Sequence, residues 1–137
     1  MGSVRNSVGR VLVVDDDPSV LATYRRVLRR AGYEAHYYDD PRRLLGEADR
    51  GVKADLLLLD YKMPAIDGLT LLAELRNLGC RARCILISAF LNEDVRERAA
   101  VLSVDVVLDK PVDVCTLRSK VAELLPPPAE TRTDQVS

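Results

Sequence analysis

The chain has 137 residues, 47% apolar and only 4% aromatic with no Trp, which suits one domain with an aliphatic core and excludes both global disorder and two enzyme domains. Twenty Lys and Arg stand against 21 Asp and Glu for a formal net charge of -1, so bulk charge gives no reason to bind nucleic acid. Three Cys and a single His fit neither a disulfide framework nor a four-ligand zinc site.

Val11 to Val14 form a β-rich run that stops at Asp15-Asp16-Asp17-Pro18. Asp17 then Pro18 is a helix cap followed by a first helical residue. Val20, Leu21, Tyr24, Val27, Leu28 and Ala31 continue at helical spacing until Gly32. Glu34 to Tyr38 is a second strand. Asp40-Pro41 repeats the cap signal for a helix facing inward through Leu44, Leu45 and Ala48 and closed by Gly51.

Asp55 to Leu59 is a buried strand ending at Asp60, and the loop from Tyr61 to Gly68 leads into a helix through Leu69, Leu72, Leu75 and Leu78. Cys84 to Ile87 is the fourth strand, closing at Ser88. A helix from Glu93 to Leu102 and a fifth strand from Val104 to Leu108 follow. Asp109-Lys110-Pro111 is a turn, and Asp113 caps a last helix running to about Leu125.

The chain therefore divides into an N-terminal extension, residues 1–9, a domain over 10–125, and a Pro-rich flexible tail, 126–137, that opens with Pro126-Pro127-Pro128. The longest apolar run, Leu56 to Leu59, is far short of the ~20 residues that cross a bilayer. With no secretory signal, a cytoplasmic setting is expected and no membrane partner. No helix-turn-helix or other output domain follows, so direct nucleic-acid binding by this chain is not expected.

The pattern is β-α five times over. Continuous apolar strands mark a parallel sheet covered on both faces, so the expected fold is α/β, a doubly wound (βα)5 domain. In such sheets ligands sit beyond the carboxyl ends of the strands. Those ends deliver Asp15 and Asp16, then Asp60, Ser88 and Lys110. Converging carboxylates raise one another's pKa, and an all-oxygen cluster with room for water suits Mg2+. Lys110 can hold a phosphoryl oxygen or pair with Asp60, and Ser88 can donate a hydrogen bond. Asp60, between the acidic pair and the lysine, is the candidate nucleophile for a phosphoryl group.

This set resembles the receiver domain of two-component response regulators, a CheY-like superfamily. The resemblance rests on Val13-Val14-Asp15-Asp16-Asp17, Leu59-Asp60-Tyr61-Lys62-Met63-Pro64 with Asp67-Gly68, Ile87-Ser88-Ala89 and Asp109-Lys110-Pro111, in family order and spacing over roughly Arg10 to Leu125. It implies a flavodoxin-like sheet of order 2-1-3-4-5. It also implies that Asp60 is the phosphoacceptor, with Mg2+ held by Asp16, Asp60 and the backbone carbonyl of Lys62, and by Asp15 through a water. Ser88 and Lys110 would contact the phosphoryl group, and small Ala89 would leave access to Asp60. The implied donor is a phosphohistidine on a sensor histidine kinase or histidine phosphotransfer protein. The family's surface for homodimers is the fourth helix, fifth strand and fifth helix. The chain would catalyse its own phosphotransfer and dephosphorylation without being an enzyme in the usual sense.

Two departures stand out. Val107 occupies the switch position that usually carries an inward-swinging aromatic, and Ser103 stands where many members have Gly. Output is therefore expected through the loop after Ser88 or the last helix, so that Val107→Tyr leaves partner discrimination unchanged. Lys62 and Phe90, each two residues beyond a site residue, are expected to flank the water path and slow dephosphorylation.

Other residues invite plainer readings. Asp17 reads as a cap rather than a ligand, and Arg25, Arg26, Arg29 and Arg30 as a solvated rim with a secondary claim as a donor-docking face. His36 and the thiols carry no chemistry, and Asp109 points away from the site. Two competing functions remain. One is an aspartyl-phosphate phosphatase of haloacid dehalogenase type, with Asp15 as nucleophile in Asp15-Asp16-Asp17-Pro18-Ser19. The other is an interaction scaffold that never takes phosphate.

Overall fold

In a computed structural model that describes residues 9–48 and 50–127, five strands and five helices alternate along the chain. They are β1 (Arg10–Val14), α1 (Pro18–Arg30), β2 (Glu34–Tyr38), α2 (Pro41–Ala48), β3 (Leu56–Asp60), α3 (Gly68–Asn77), β4 (Arg83–Ser88), α4 (Glu93–Val101), β5 (Val106–Asp109) and α5 (Val114–Leu124). All strand pairs are parallel, in the order β2-β1-β3-β4-β5. Met1 to Val8, with most of the expected extension, and Pro128 to Ser137 of the tail lie outside the described residues.

Alternation along the inner strands divides the core between the sheet's two faces. Leu57 and Leu59 of β3 join Leu12, Val14, Cys84 and Leu86 beneath α2 and α3. Leu56 and Leu58 join Val11, Val13, Ile85 and Ile87 beneath α1 and α5. Only β3 is buried along its whole length, with β1 and β4 buried but for their first residues. The expectation of burial on both faces fails at β2 and β5, which lie at the sheet edges and are half-covered.

Tertiary packing corrects two further expectations, the start of the fifth strand and the place of Leu78, and shows the surroundings of Gly9 and of the thiols. The fifth strand starts at Val106 rather than Val104, because Ser103 adopts a positive φ of 59° and Asp105 turns its carboxylate onto the Cys84 N–H at 2.8 Å. Leu78 leaves the core; it is the C-cap of α3 and exposed, whereas Leu71 is fully buried. Gly9, placed in the extension, is buried against Leu125, where any Cβ would collide with that side chain. Cys80 and Cys84 are buried thiols, but Cys115 is exposed.

The caps behave as their chemistry requires. Asp17 accepts the Ser19 N–H at 2.9 Å, and Asp113 accepts that of Thr116 at 3.0 Å. Asp67 and Asn92, which sequence reasoning passed over as caps, do the same for α3 and α4.

Candidate phosphorylation site

Register places the site. Val14 pairs with Leu59, so Asp15 and Asp60 leave adjacent strands at the same height. Asp60 pairs with Ile87, which puts Ser88 one step beyond, and Ser88 pairs with Asp109, the residue before Lys110. Asp15, Asp16 and Asp60 each bring a carboxylate oxygen within 4.8 Å of the others. Asp15 and Asp60 are buried and Asp16 is exposed, so the cluster opens to solvent on the Asp16 side.

Lys110 lies between the buried pair, its Nζ 3.1 Å from Asp15 Oδ2 and 3.1 Å from Asp60 Oδ1. Asp15 Oδ1 also accepts the Asp17 N–H at 2.9 Å. Burial, then the Asp15 charge, pushes the Asp60 carboxyl up to about 6, against the pull of Lys110. Burial likewise raises Asp15, opposed by the Asp17 N–H and by Lys110. Burial would lower Lys110, but its bonds to Asp60 and Asp15 outweigh that and hold it above its ordinary value. The negative field extends to Tyr24, raised by burial and then by Asp15 and Asp60. One ammonium among three carboxylates leaves the site short of positive charge.

The β3–α3 loop is held close to this cluster. The Tyr61 N–H donates to the Ile87 carbonyl at 2.8 Å, and the Gly68 N–H donates to the Tyr61 carbonyl at 2.7 Å. Glycine is required at 68 because a Cβ would fall on the Asp60 carbonyl oxygen. On the opposite rim, Ser88 Oγ accepts the Phe90 N–H at 2.9 Å, which leaves the hydroxyl proton available to a ligand. Exposed Ala89 follows. The Lys62 ammonium sits 4.7 Å from the centroid of the Phe90 ring, a cation–π contact joining the two rims.

Asp15, Asp16, Asp60, Ser88 and Lys110 thus gather at one end of the sheet. Val107 does not join them; it packs with the core beneath α2 and α3. Asp109 is exposed at the end of β5. The four α1 arginines are exposed, Arg25 lying 4.4 Å over the Tyr37 ring, and exposed His36 contacts Glu34 at 3.2 Å. Sequence reasoning missed Arg98, whose Nη1 reaches the Tyr61 hydroxyl at 3.2 Å and Asp67 Oδ2 at 3.4 Å. No local signal marks it, because the approach of α4 to the β3–α3 loop is a tertiary matter.

Comparison with known proteins agrees with this architecture. Residues 11–122 match the response regulator receiver domain family. The transcriptional regulatory protein PrrA of Mycobacterium leprae is 34% identical over 116 residues, 85% of this chain and 49% of PrrA, so the chain spans about half the length of that relative. Sporulation initiation phosphotransferase F of Bacillus subtilis is 26% identical over 117 residues, 85% of this chain and 94% of that protein. The crystal structure of a CheY-like response regulator receiver domain protein from Methanospirillum hungatei superposes with a TM-score of 0.80 at 25% identity, over 93% of this chain and 99% of its own. Among the described residues, no helix is long and apolar enough to cross a membrane.

Proposed function

The chain belongs to the response regulator receiver domain family of two-component signalling, and on that premise we propose that Asp60 accepts a phosphoryl group from a phosphohistidine donor and thereby switches a partner interaction. The observation that carries the reading is Lys110 bridging buried Asp15 and Asp60 at 3.1 Å each, with Asp16 alongside.

The donor set fits Mg2+: it is all oxygen, open on one side, and short of positive charge. Asp16, Asp60 and the Lys62 backbone carbonyl would hold the ion directly, and Asp15 through a water. Bound there, Mg2+ supplies the charge that keeps Asp60 ionised near neutral pH and neutralises the phosphoryl oxygens. Asp60 attacks phosphorus through a carboxylate oxygen; the new P–O bond forms as the P–N bond breaks, the leaving nitrogen keeps that bond's electron pair, and the imidazole departs neutral with the proton its other ring nitrogen already carried. Lys110 holds a phosphoryl oxygen from its position against Asp60, and the Ser88 hydroxyl donates to another. Catalysis here is positioning and charge stabilisation. Asp15 suits a supporting role, since both its oxygens are engaged, by Lys110 and by the Asp17 N–H.

The donor partner is a sensor histidine kinase or a histidine phosphotransfer protein, and the place of action is the cytoplasm. Self-association of the phosphorylated chain through α4, β5 and α5 belongs to the same proposal.

Intact-mass spectrometry after incubation with acetyl phosphate and Mg2+ tests the reading. The expected result is gain of one phosphoryl group by the wild type, dependent on Mg2+ and absent from Asp60→Asn. A gain that survives in Asp60→Asn moves the nucleophile to Asp15, and no gain by the wild type removes the phosphoacceptor reading.

A further inference from the structure

α4 is thinly anchored, burying only Val95 and Ala99. Asp94, Glu97, Arg98 and Val101 recur three and four residues apart along one flank of the helix. With Tyr61 and Leu102 they line a groove of about 790 Å³ between α4 and the β3–α3 loop. Val101 is 83% exposed there, the most open of the large apolar side chains among the described residues.

The groove's charge is one-sided. Arg98 is neutralised by Asp67, 3.4 Å away. Asp94 and Glu97 have no cationic partner among the described residues. An apolar surface thus carries two uncompensated carboxylates one helical turn apart. Across the groove stands Tyr61, directly after Asp60 in sequence and fixed at both backbone ends by the Ile87 carbonyl and the Gly68 N–H. Its hydroxyl accepts from Arg98, so the contact joining the two walls begins one peptide bond from the proposed phosphoacceptor. No aromatic ring at 107 competes for that role.

We propose that this groove docks a basic amphipathic helix of a partner protein, and that phosphorylation of Asp60 strengthens docking by re-seating Tyr61 and loosening its hold on Arg98. The charge selects a basic partner, and the groove's length along a helix selects a helical one. The coupling half rests on the receiver reading; the docking half does not. The surface differs from the α4, β5 and α5 face, since it lies on the α3 side of α4.

The test measures fluorescence anisotropy of two synthetic amphipathic peptides, one of Leu and Lys and one of Leu and Glu, against the full chain. Each titration is run with and without acetyl phosphate and Mg2+, with intact mass recorded on the same samples. The Leu/Lys peptide is expected to bind and the Leu/Glu peptide is not. Reversing both charges, Asp94→Lys with Glu97→Lys, weakens binding by about tenfold or more, the scale of like charges meeting across an interface. Val101→Asp weakens it as well. Phosphorylated wild type binds more tightly than unphosphorylated, and Tyr61→Phe takes up the phosphoryl group but binds equally in both forms. The proposal is overturned if the Leu/Lys peptide does not bind, or binds the charge-reversed and Val101→Asp chains as well as the wild type. A full mass gain with unchanged affinity overturns the coupling. Absence of any mass gain counts against the receiver reading and leaves the docking result to stand on the unphosphorylated chain.

Discussion

Aspartates sit at both ends of this sheet and do opposite work. At the amino end, Asp55 and Asp105 each stand one residue before a strand and staple its neighbour. Asp55 Oδ2 accepts the Arg10 N–H at 2.9 Å while the Asp55 N–H returns a bond to the Arg10 carbonyl. Asp105 Oδ2 accepts the Cys84 N–H at 2.8 Å, and its own N–H donates to the Cys84 carbonyl. At the carboxyl end, Asp15 and Asp60 are buried side by side with Lys110 as their shared cation. The first pair completes backbone ladders and stabilises the fold. The second crowds like charges where water cannot screen them, a cost that the proposed cation and phosphoryl group would offset.

The largest expected effect lies at the carboxyl end. Asp60 is raised from 3.8 to about 6 in the folded chain. Between those pH values the folded state holds a proton that the unfolded state has released. Metal-free stability therefore falls as pH rises through that window, and the penalty is complete above about pH 6. Asp60→Asn should raise metal-free stability at neutral pH by at most about 3 kcal/mol, the equivalent of a two-unit shift. Urea unfolding of both chains from pH 4 to 8 checks it: the difference should grow with pH. A destabilised variant would mean that Lys110 already balances the pair. Added Mg2+ should stabilise the wild type and act weakly on Asp60→Asn.

The amino end should respond in the opposite direction. Asp105→Ala strands the fully buried Cys84 N–H and should cost about 1–3 kcal/mol, read as a lower urea midpoint. Equal stability of the two chains would show that the staple is dispensable. Ser103, at φ 59°, lies in a region that disfavours any residue with a Cβ. Ser103→Gly should add about 1 kcal/mol, seen as a higher unfolding midpoint with phosphorylation unchanged. Smallest is the Lys62–Phe90 contact. Losing it in Lys62→Ala or Phe90→Ala should shorten the phosphate lifetime only a few-fold, matching the about 0.5–1 kcal/mol of an exposed cation–π pair. Lifetimes equal to the wild type's would remove the contact from the water path.

What the chain determined by itself is what depends on local pattern. Five short strand-like runs, each followed by a longer amphipathic stretch, specify the (βα)5 order. Parallel strands must deliver their carboxyl ends to one edge, so the strand pattern alone groups Asp15, Asp16, Asp60, Ser88 and Lys110. Asp17-Pro18 and Asp113 were legible as helix starts because a cap acts within three residues. Tertiary structure alone decided what depends on neighbours distant in sequence. Asp105 leaves the fifth strand because Cys84 needs an acceptor. Leu78 is exposed although it keeps the helical spacing, because α3 ends there and Leu71 takes the inward arc. Arg98 reaches Tyr61 and Asp67 because two elements about thirty residues apart are packed together. Periodicity fixes which face of an element turns inward, but a contact between elements depends on register and distance, which no local pattern encodes.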